Sequence, residues 1–279
     1  MRYRLLIVAV VFPGLSFFAH AQYDKVYTAE SWMQAITRNA IKPGASNGSF
    51  GAAPHGFALY FSKAGDLSVP YLVYVPQGYN PARPVPIVVF LHGAILAREQ
   101  FQYKDPGIAG EPIFSISDTF HCLVVFPFAK NDFAWGRNEA ANENIMTIIK
   151  QVESTYNVDH KSIYIGGISM GGNATFWFVN NKANSFAGFY TFSALPGRGG
   201  GDVNFKNITQ NRPLYSMNAK DDQTFSYSEA EQIYNRHKSE TSGWHFKEVA
   251  SGGHRFIYGS RGNEYVQSLV GELLLTPHR

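Results

Sequence analysis

The chain has 279 residues, 45% of them hydrophobic, 15% aromatic and only 16% charged. That composition excludes a disordered polyelectrolyte and is enough for one sizeable core. Fourteen prolines and 26 glycines scattered through it exclude a coiled coil or a solenoid. The formal net charge is +3, and Arg2 and Arg4 supply two of those charges at the extreme N-terminus. The rest carries no electrostatic footprint for nucleic acid or an anionic membrane.

In chain order, Arg2 and Arg4 precede an apolar run over residues 5–18, and Ala19-His20-Ala21 forms a small-x-small cleavage site. This reads as a secretory signal peptide over residues 1–21, with Gln22 as the mature start and no membrane span left after cleavage. Residues 22–56 form a lead segment, irregular around the polar, glycine-rich stretch 44–51. Strands are predicted at 57–62 and 71–75 with no helix between them, which points to an antiparallel edge. The unbroken apolar run Val85–Leu91 and the run 123–126 read as strands buried on both faces. Ile145, Ile148, Ile149, Val152 and Tyr156 recur at helical spacing. Then follow a polar turn at 157–159, a strand at 162–166, a helix at 170–179 and a strand at 186–192. A strand at 213–217, a helix at 227–237, a strand at 244–249 and a last helix around 265–273 complete the chain. Alternation of strand and helix from residue 85 onward predicts a mostly parallel sheet covered on both faces. Cys122 is the sole cysteine. It lies in an apolar strand and reads as a buried bystander, and no internal disulfide can form.

Reactive groups in such sheets collect at the carboxyl ends of the strands. The strand at 162–166 runs directly into Gly167-Ile168-Ser169-Met170-Gly171-Gly172 and a helix. A G-x-S-x-G turn in that context presents a serine hydroxyl at a helix N-terminus, where the next N–H, that of Met170, faces a developing oxyanion. Ser169 is therefore the candidate nucleophile, and it needs a base and an orienting acid. His254, in Ser251-Gly252-Gly253-His254 between the last strand and the last helix, is the one histidine in a loop able to lie over that serine. His160 reads as a turn residue, His237 as a helix-surface residue and His245 as a strand-face residue. The acid is sought after the strand at 213–217, where Asp221 and Asp222 stand side by side, and both remain open on spacing alone. A second oxyanion donor should follow Val85–Leu91: Gly93 lets backbone approach a substrate and Ala94 N–H is the donor, with Ile95 as the alternative. His92 reads as a partner of neighbouring backbone.

These stretches resemble the secreted esterase branch of the α/β-hydrolase superfamily, which includes feruloyl and acetylxylan esterases, polyhydroxybutyrate-depolymerase-like enzymes and phospholipase/carboxylesterase-type proteins. The resemblance rests on residues 71–78 (YLVYVPQG), 88–94 (VVFLHGA), 156–172 (YNVDHKSIYIGGISMGG) and the GGH at 252–254. It implies an α/β-hydrolase fold over residues 57–279, an α/β architecture with an antiparallel N-terminal edge, helices on both faces and no large cap. In the family's G-x-x-D-x-x-V pattern, Ala219 falls at the glycine, Asp222 at the acid and Phe225 at the apolar position, which selects Asp222. Alanine at the glycine position, and the lack of the disulfides common in secreted feruloyl esterases and polyester depolymerases, are departures from the family.

The implied chemistry is acyl transfer through an ester of Ser169, with His254 as base and Asp222 fixing its tautomer. A base must be neutral, so activity should fall on acidification. Phe133 and Trp135, after the strand at 123–126, are expected beside the serine as an aromatic wall, with the loop 195–201 bordering the cleft. The expected substrate is an ester, polymeric or carbohydrate-linked, such as a feruloyl or acetyl ester of plant polysaccharide. A serine peptidase of the same fold and a polyester depolymerase are the alternatives, and a degenerate non-enzymatic scaffold is a third. No metal-ligand spacing and no G-x-G-x-x-G after a strand is present, so neither metal nor nucleotide cofactor is expected.

Overall fold

Eight strands hydrogen-bond into one sheet, and the sequence pattern of each decides where it lies. A computed structural model of the chain describes residues 26–42, 50–93, 98–198 and 201–276. The expected signal peptide, most of the 44–51 stretch, and Ala94 and Ile95 lie outside these residues. The chain begins with α1 (Ala29–Arg38), then β1 (Gly56–Ala64), β2 (Leu67–Val75) and β3 (Val85–Leu91). Next come α2 (Ser115–Phe120), β4 (Leu123–Pro127), α3 (Glu139–Thr155), β5 (Val158–Ile168) and α4 (Met170–Asn181). The last elements are β6 (Gly188–Phe192), β7 (Leu214–Ala219), α5 (Tyr227–His237), β8 (Trp244–Val249) and α6 (Gly262–Leu275).

The strand order is β1-β2-β4-β3-β5-β6-β7-β8. β1 pairs antiparallel with β2, and β2 with β4, while β3 through β8 run parallel to one another and to β4. The predicted antiparallel edge is thus the hairpin β1–β2, and β3 sits between β4 and β5 with both faces covered. That is why β3 is apolar without alternation. On one face Ile145, Ile148, Ile149 and Val152 of α3 and Phe178 and Val179 of α4 pack against the sheet. On the other, Val266, Leu269, Val270 and Leu273 of α6 join Trp32 and Ile36 of α1. The 3.6-residue period of α3 and α6 is the imprint of this one-sided burial.

Two local expectations change, and a segment without one folds. The lead is not wholly irregular, because residues 29–38 form α1. Thr28 and Ser31 close a capping box at its start, and Trp32 and Ile36, four apart, are fully buried. The Trp32 indole N–H donates to the Tyr103 carbonyl at 2.9 Å. Burial of two such side chains contributes about 2–3 kcal/mol each, which fixes a helix too short to persist alone. The segment before β4 also folds, into 3₁₀ turns at Pro106–Gly110 and Pro112–Phe114 and then α2. The polar turn at 157–159 is shorter than expected, because β5 begins at Val158 and takes His160 into the strand, where its ring meets Glu153 at 2.6 Å.

Candidate active site

Strand β5 ends at the carboxyl edge of the sheet, and Ser169 is the single residue between it and α4. Its backbone adopts φ 55°, ψ −116°, a region that residues with a Cβ rarely occupy. Ser169 N–H donates to Phe192 O at 3.0 Å and Ser169 O accepts from Asn173 N–H at 2.8 Å, so both flanks of the turn are tied down. A Cβ on Gly167 would lie 2.1 Å from the Leu91 carbonyl oxygen, and one on Gly171 would lie 1.8 Å from it. The two glycines of the motif are therefore the places where the turn touches β3. We expect Gly171→Ala to lower stability by more than about 3 kcal/mol, because the obstacle is backbone in the centre of the sheet. Urea unfolding checks this, and a loss under 1 kcal/mol would contradict it.

Three side chains converge at this turn. His254 Nε2 is 2.8 Å from Ser169 Oγ. His254 Nδ1 is 2.8 Å from Asp222 Oδ2. Asp222 follows β7, and its side chain is fully buried. Its other oxygen accepts from Thr224 N–H at 2.7 Å and Phe225 N–H at 2.9 Å. An ionised carboxylate only accepts, so Nδ1 carries the ring proton and Nε2 presents its lone pair to the serine hydroxyl. The Phe225 ring stands perpendicular to the imidazole, 5.0 Å between centroids, and completes its setting.

Adjacent Asp221 points the other way. It is exposed and accepts from Gly252 N–H at 3.0 Å and Gly253 N–H at 2.8 Å. Those two amides hold its carboxyl below the usual carboxylate range. The alanine at position 219 does not disturb this register, since Asp222 N–H bonds Ala219 O at 3.2 Å and Lys220 N–H bonds Val249 O at 2.9 Å.

Met170, first residue of α4, has a backbone N–H with no acceptor inside the helix, at its positive end. Gly93 lies against this turn, its added Cβ 3.6 Å from Ser169 Cβ. His92 is buried, with Nδ1 2.9 Å from Gly93 O and Nε2 3.2 Å from Ala129 N. It bonds backbone on both sides and does not meet Ser169. Burial pushes its imidazole down to about 4. An unfolded imidazole titrates near 6.5, so the neutral ring contributes stability that is full above that value and is lost as pH falls from there toward about 4. The swing is about 3 kcal/mol. Unfolding measured from pH 7 down to 4 should show a His92→Asn variant losing distinctly less stability than the parent, and equal slopes would contradict this.

Two cavities meet at Ser169. The first, about 670 Å³, is lined by Trp135, Met170, Ala174, Arg198 and Phe225 among others. The second, about 510 Å³, is lined by His254, Phe126, Phe128, Arg98, Glu111 and Arg255 among others. Of the two expected aromatic neighbours only Trp135 reaches the cleft. Phe133 packs with Val69, Ala141 and Phe101 instead. The cause is a tight reversal, Lys130 N–H to Phe133 O at 3.1 Å and Phe133 N–H to Lys130 O at 3.0 Å, which turns the ring away. Nothing in the sequence reading marked the second cavity. Its signals are Arg255 and Tyr258 just after His254, and a segment at 98–111 for which no element was predicted. Cys122 is buried and free. Among the described residues no cluster of three or more His, Cys, Asp or Glu could hold a metal ion. No described helix is long and apolar enough to cross a membrane.

No protein-family model matches the chain. A curated relative, a bifunctional acetylxylan esterase/xylanase of Neocallimastix patriciarum, is 22% identical over 170 residues, which is 60% of this chain and 23% of that protein. Among solved structures, a thermostable esterase superposes with TM-score 0.59 at 22% identity, covering 78% of this chain and 62% of that one. A feruloyl esterase module from Clostridium thermocellum, complexed with sinapinate, gives TM-score 0.60 at 14% identity over 86% and 96% of the two chains. An acylaminoacyl peptidase of Pyrococcus horikoshii gives 0.58 at 14% identity over 79% and 41%. These superpositions show that the chain has the α/β-hydrolase fold.

Proposed function

We propose that the protein is a serine carboxylesterase, exported through its N-terminal leader, that hydrolyses carboxylic esters by way of an acyl-enzyme on Ser169. The observation that carries this is the unbroken hydrogen-bond chain Ser169–His254–Asp222, with 2.8 Å at each step, at the start of α4. Ser169 Oγ attacks the ester carbonyl carbon as its proton passes to His254 Nε2. Asp222 holds the ring and stabilises the imidazolium that forms. The oxyanion takes hydrogen bonds from the N–H groups of Met170 and Ala94. Collapse of the adduct breaks the ester C–O bond, and the imidazolium returns its proton to the departing alcohol. Water then attacks the acyl-enzyme with the same base, giving the free acid and restoring Ser169.

The favoured substrates are feruloyl or acetyl esters borne on plant polysaccharide. The first cavity supports this reading, since about 670 Å³ edged by Trp135, Met170 and Phe225 accommodates an aromatic acyl group. Hydrolysis of p-nitrophenyl acetate, butyrate and decanoate, methyl ferulate, acetylated xylan and one peptide amide by the mature protein tests it. Turnover of methyl ferulate or acetylated xylan above the simple nitrophenyl esters supports the polysaccharide reading. Amide cleavage with poor ester turnover would make the protein a peptidase.

A further inference from the structure

The division of the cleft at Ser169 separates the two halves of an ester, given the esterase reading above. His254 Nε2 must hand its proton to the departing oxygen, so the alcohol leaves over the imidazole. His254 lines the second cavity and is not among the residues of the first. The second cavity is therefore the alcohol side.

Its walls are apolar below and cationic above. Ile108, Phe126 and Phe128 supply apolar surface, and Arg98 and Arg255 are exposed at its rim. Neither guanidinium makes an ion pair or a side-chain hydrogen bond among the described residues. Arg255 instead lies over the Tyr258 ring, 5.1 Å from its centroid, which orients the group and leaves its N–H donors free. Arg198 in the first cavity differs, because Glu229 engages it at 3.5 Å.

Two acids share the second cavity and offset part of this charge, but among the described residues neither forms an ion pair with Arg98 or Arg255. Asp105 accepts from Gly107 N–H at 2.9 Å and so caps the 3₁₀ turn that follows it. Glu111 is bonded by the Tyr258 hydroxyl, and burial pushes its carboxyl up to about 7 against the pull of the Tyr258 bond and of Arg255 and Arg98, so near neutrality it carries only part of a charge. Its Oε2 has no partner.

We propose that the second cavity is a subsite for a leaving alcohol that carries a carboxylate, a hydroxy acid or an acidic sugar, held by Arg98 and Arg255. Paired guanidinium donors suit a planar anion far better than a neutral hydroxyl.

The test uses esters that differ only at the far end of one half. 3-Acetoxypropionate and 3-acetoxypropionamide place the carboxylate or its neutral amide on the alcohol. Monoethyl succinate and ethyl succinamate place the same pair on the acyl group. We expect the parent enzyme to favour acetoxypropionate over its amide by about tenfold or more in kcat/KM, the value of one or two charge-assisted hydrogen bonds. Arg98→Gln and Arg255→Gln should each cut that ratio several-fold, and added salt should lower it in the parent. Because the readout is a ratio within one protein, partial misfolding of a variant does not imitate it. A parental ratio near one, or a ratio that neither variant moves, overturns the proposal. So does a carboxylate preference found only in the succinate pair, which would place the charge recognition on the acyl side. If p-nitrophenyl acetate is cleaved without any carboxylate preference, the subsite alone fails. If that ester is not cleaved either, the esterase reading falls and the subsite falls with it.

Discussion

Replacement of Ser169 by alanine is expected to lower kcat for p-nitrophenyl acetate by about 10⁶-fold, because on the proposed mechanism the residue that forms the covalent intermediate is removed and the remaining groups have nothing to activate. The substitution is well posed structurally. Alanine keeps the Cβ, so the φ 55° strain at the turn is unchanged, and only a hydroxyl that bonds His254 at 2.8 Å is lost. Melting temperature should stay within a few degrees while turnover disappears. Active-site titration should fall in parallel, from one p-nitrophenolate released per chain in the burst, as the acyl group stays on the serine, to none. A variant that retains a tenth of the parental rate would place the nucleophile elsewhere and sink the proposed mechanism.

Asp222→Asn should cost about 10⁴-fold in kcat, and Asp221→Asn less than about tenfold. The asymmetry follows from hydrogen-bond bookkeeping at two neighbouring carboxylates. Asn at 222 has one carbonyl oxygen, and Thr224 N–H and Phe225 N–H, at 2.7 and 2.9 Å, both demand it. The amide NH₂ then faces His254 Nδ1, which can accept only by giving up its own proton. The ring switches tautomer, Nε2 becomes a donor, and it no longer takes the serine proton. Asn at 221 keeps one of the bonds to Gly252 and Gly253 and touches no ring nitrogen. Rates for the two variants beside the parent decide the matter. Equal losses would mean that the pair acts only by shaping the loop.

How far the sequence foretold this molecule depends on how local the cause is. The G-x-S-x-G turn is legible because its glycines and serine stand together in one short stretch, even though the Leu91 carbonyl they clear belongs to β3, far away in sequence. β3, α5 and β8 are recovered with the bounds expected, β3 because its apolar run is unbroken. Position 222 over 221 needed the family's spacing, because two adjacent aspartates look alike until a backbone turn aims them apart. α1 escaped notice for a different reason: only Trp32 and Ile36 are buried on it, too few to raise a periodic signal above the polar lead. The pairing of β2 with β4, which leaves β3 inside the sheet, is a long-range fact with no local mark. Phe133 and Trp135 were indistinguishable as neighbours of the serine, and a two-way hydrogen bond between Lys130 and Phe133 separates them. The arginines of the second cavity come from residues 98 and 255, and no motif joins them.

The contact of Asp221 with two glycine amides bears on the timing of a conformational cost. Gly252 has φ 127° and Gly253 φ 62°, so the stretch just before His254 is the kind of chain that has most freedom to lose. Bonds at 3.0 and 2.8 Å from a residue on the neighbouring loop remove that freedom when the protein folds. The entropy of placing the imidazole is therefore charged once, to folding, and not again at every encounter with the proposed ester substrate. Two consecutive aspartates divide the work, one immobilising the hinge of a loop and the next aiming the ring that the loop carries.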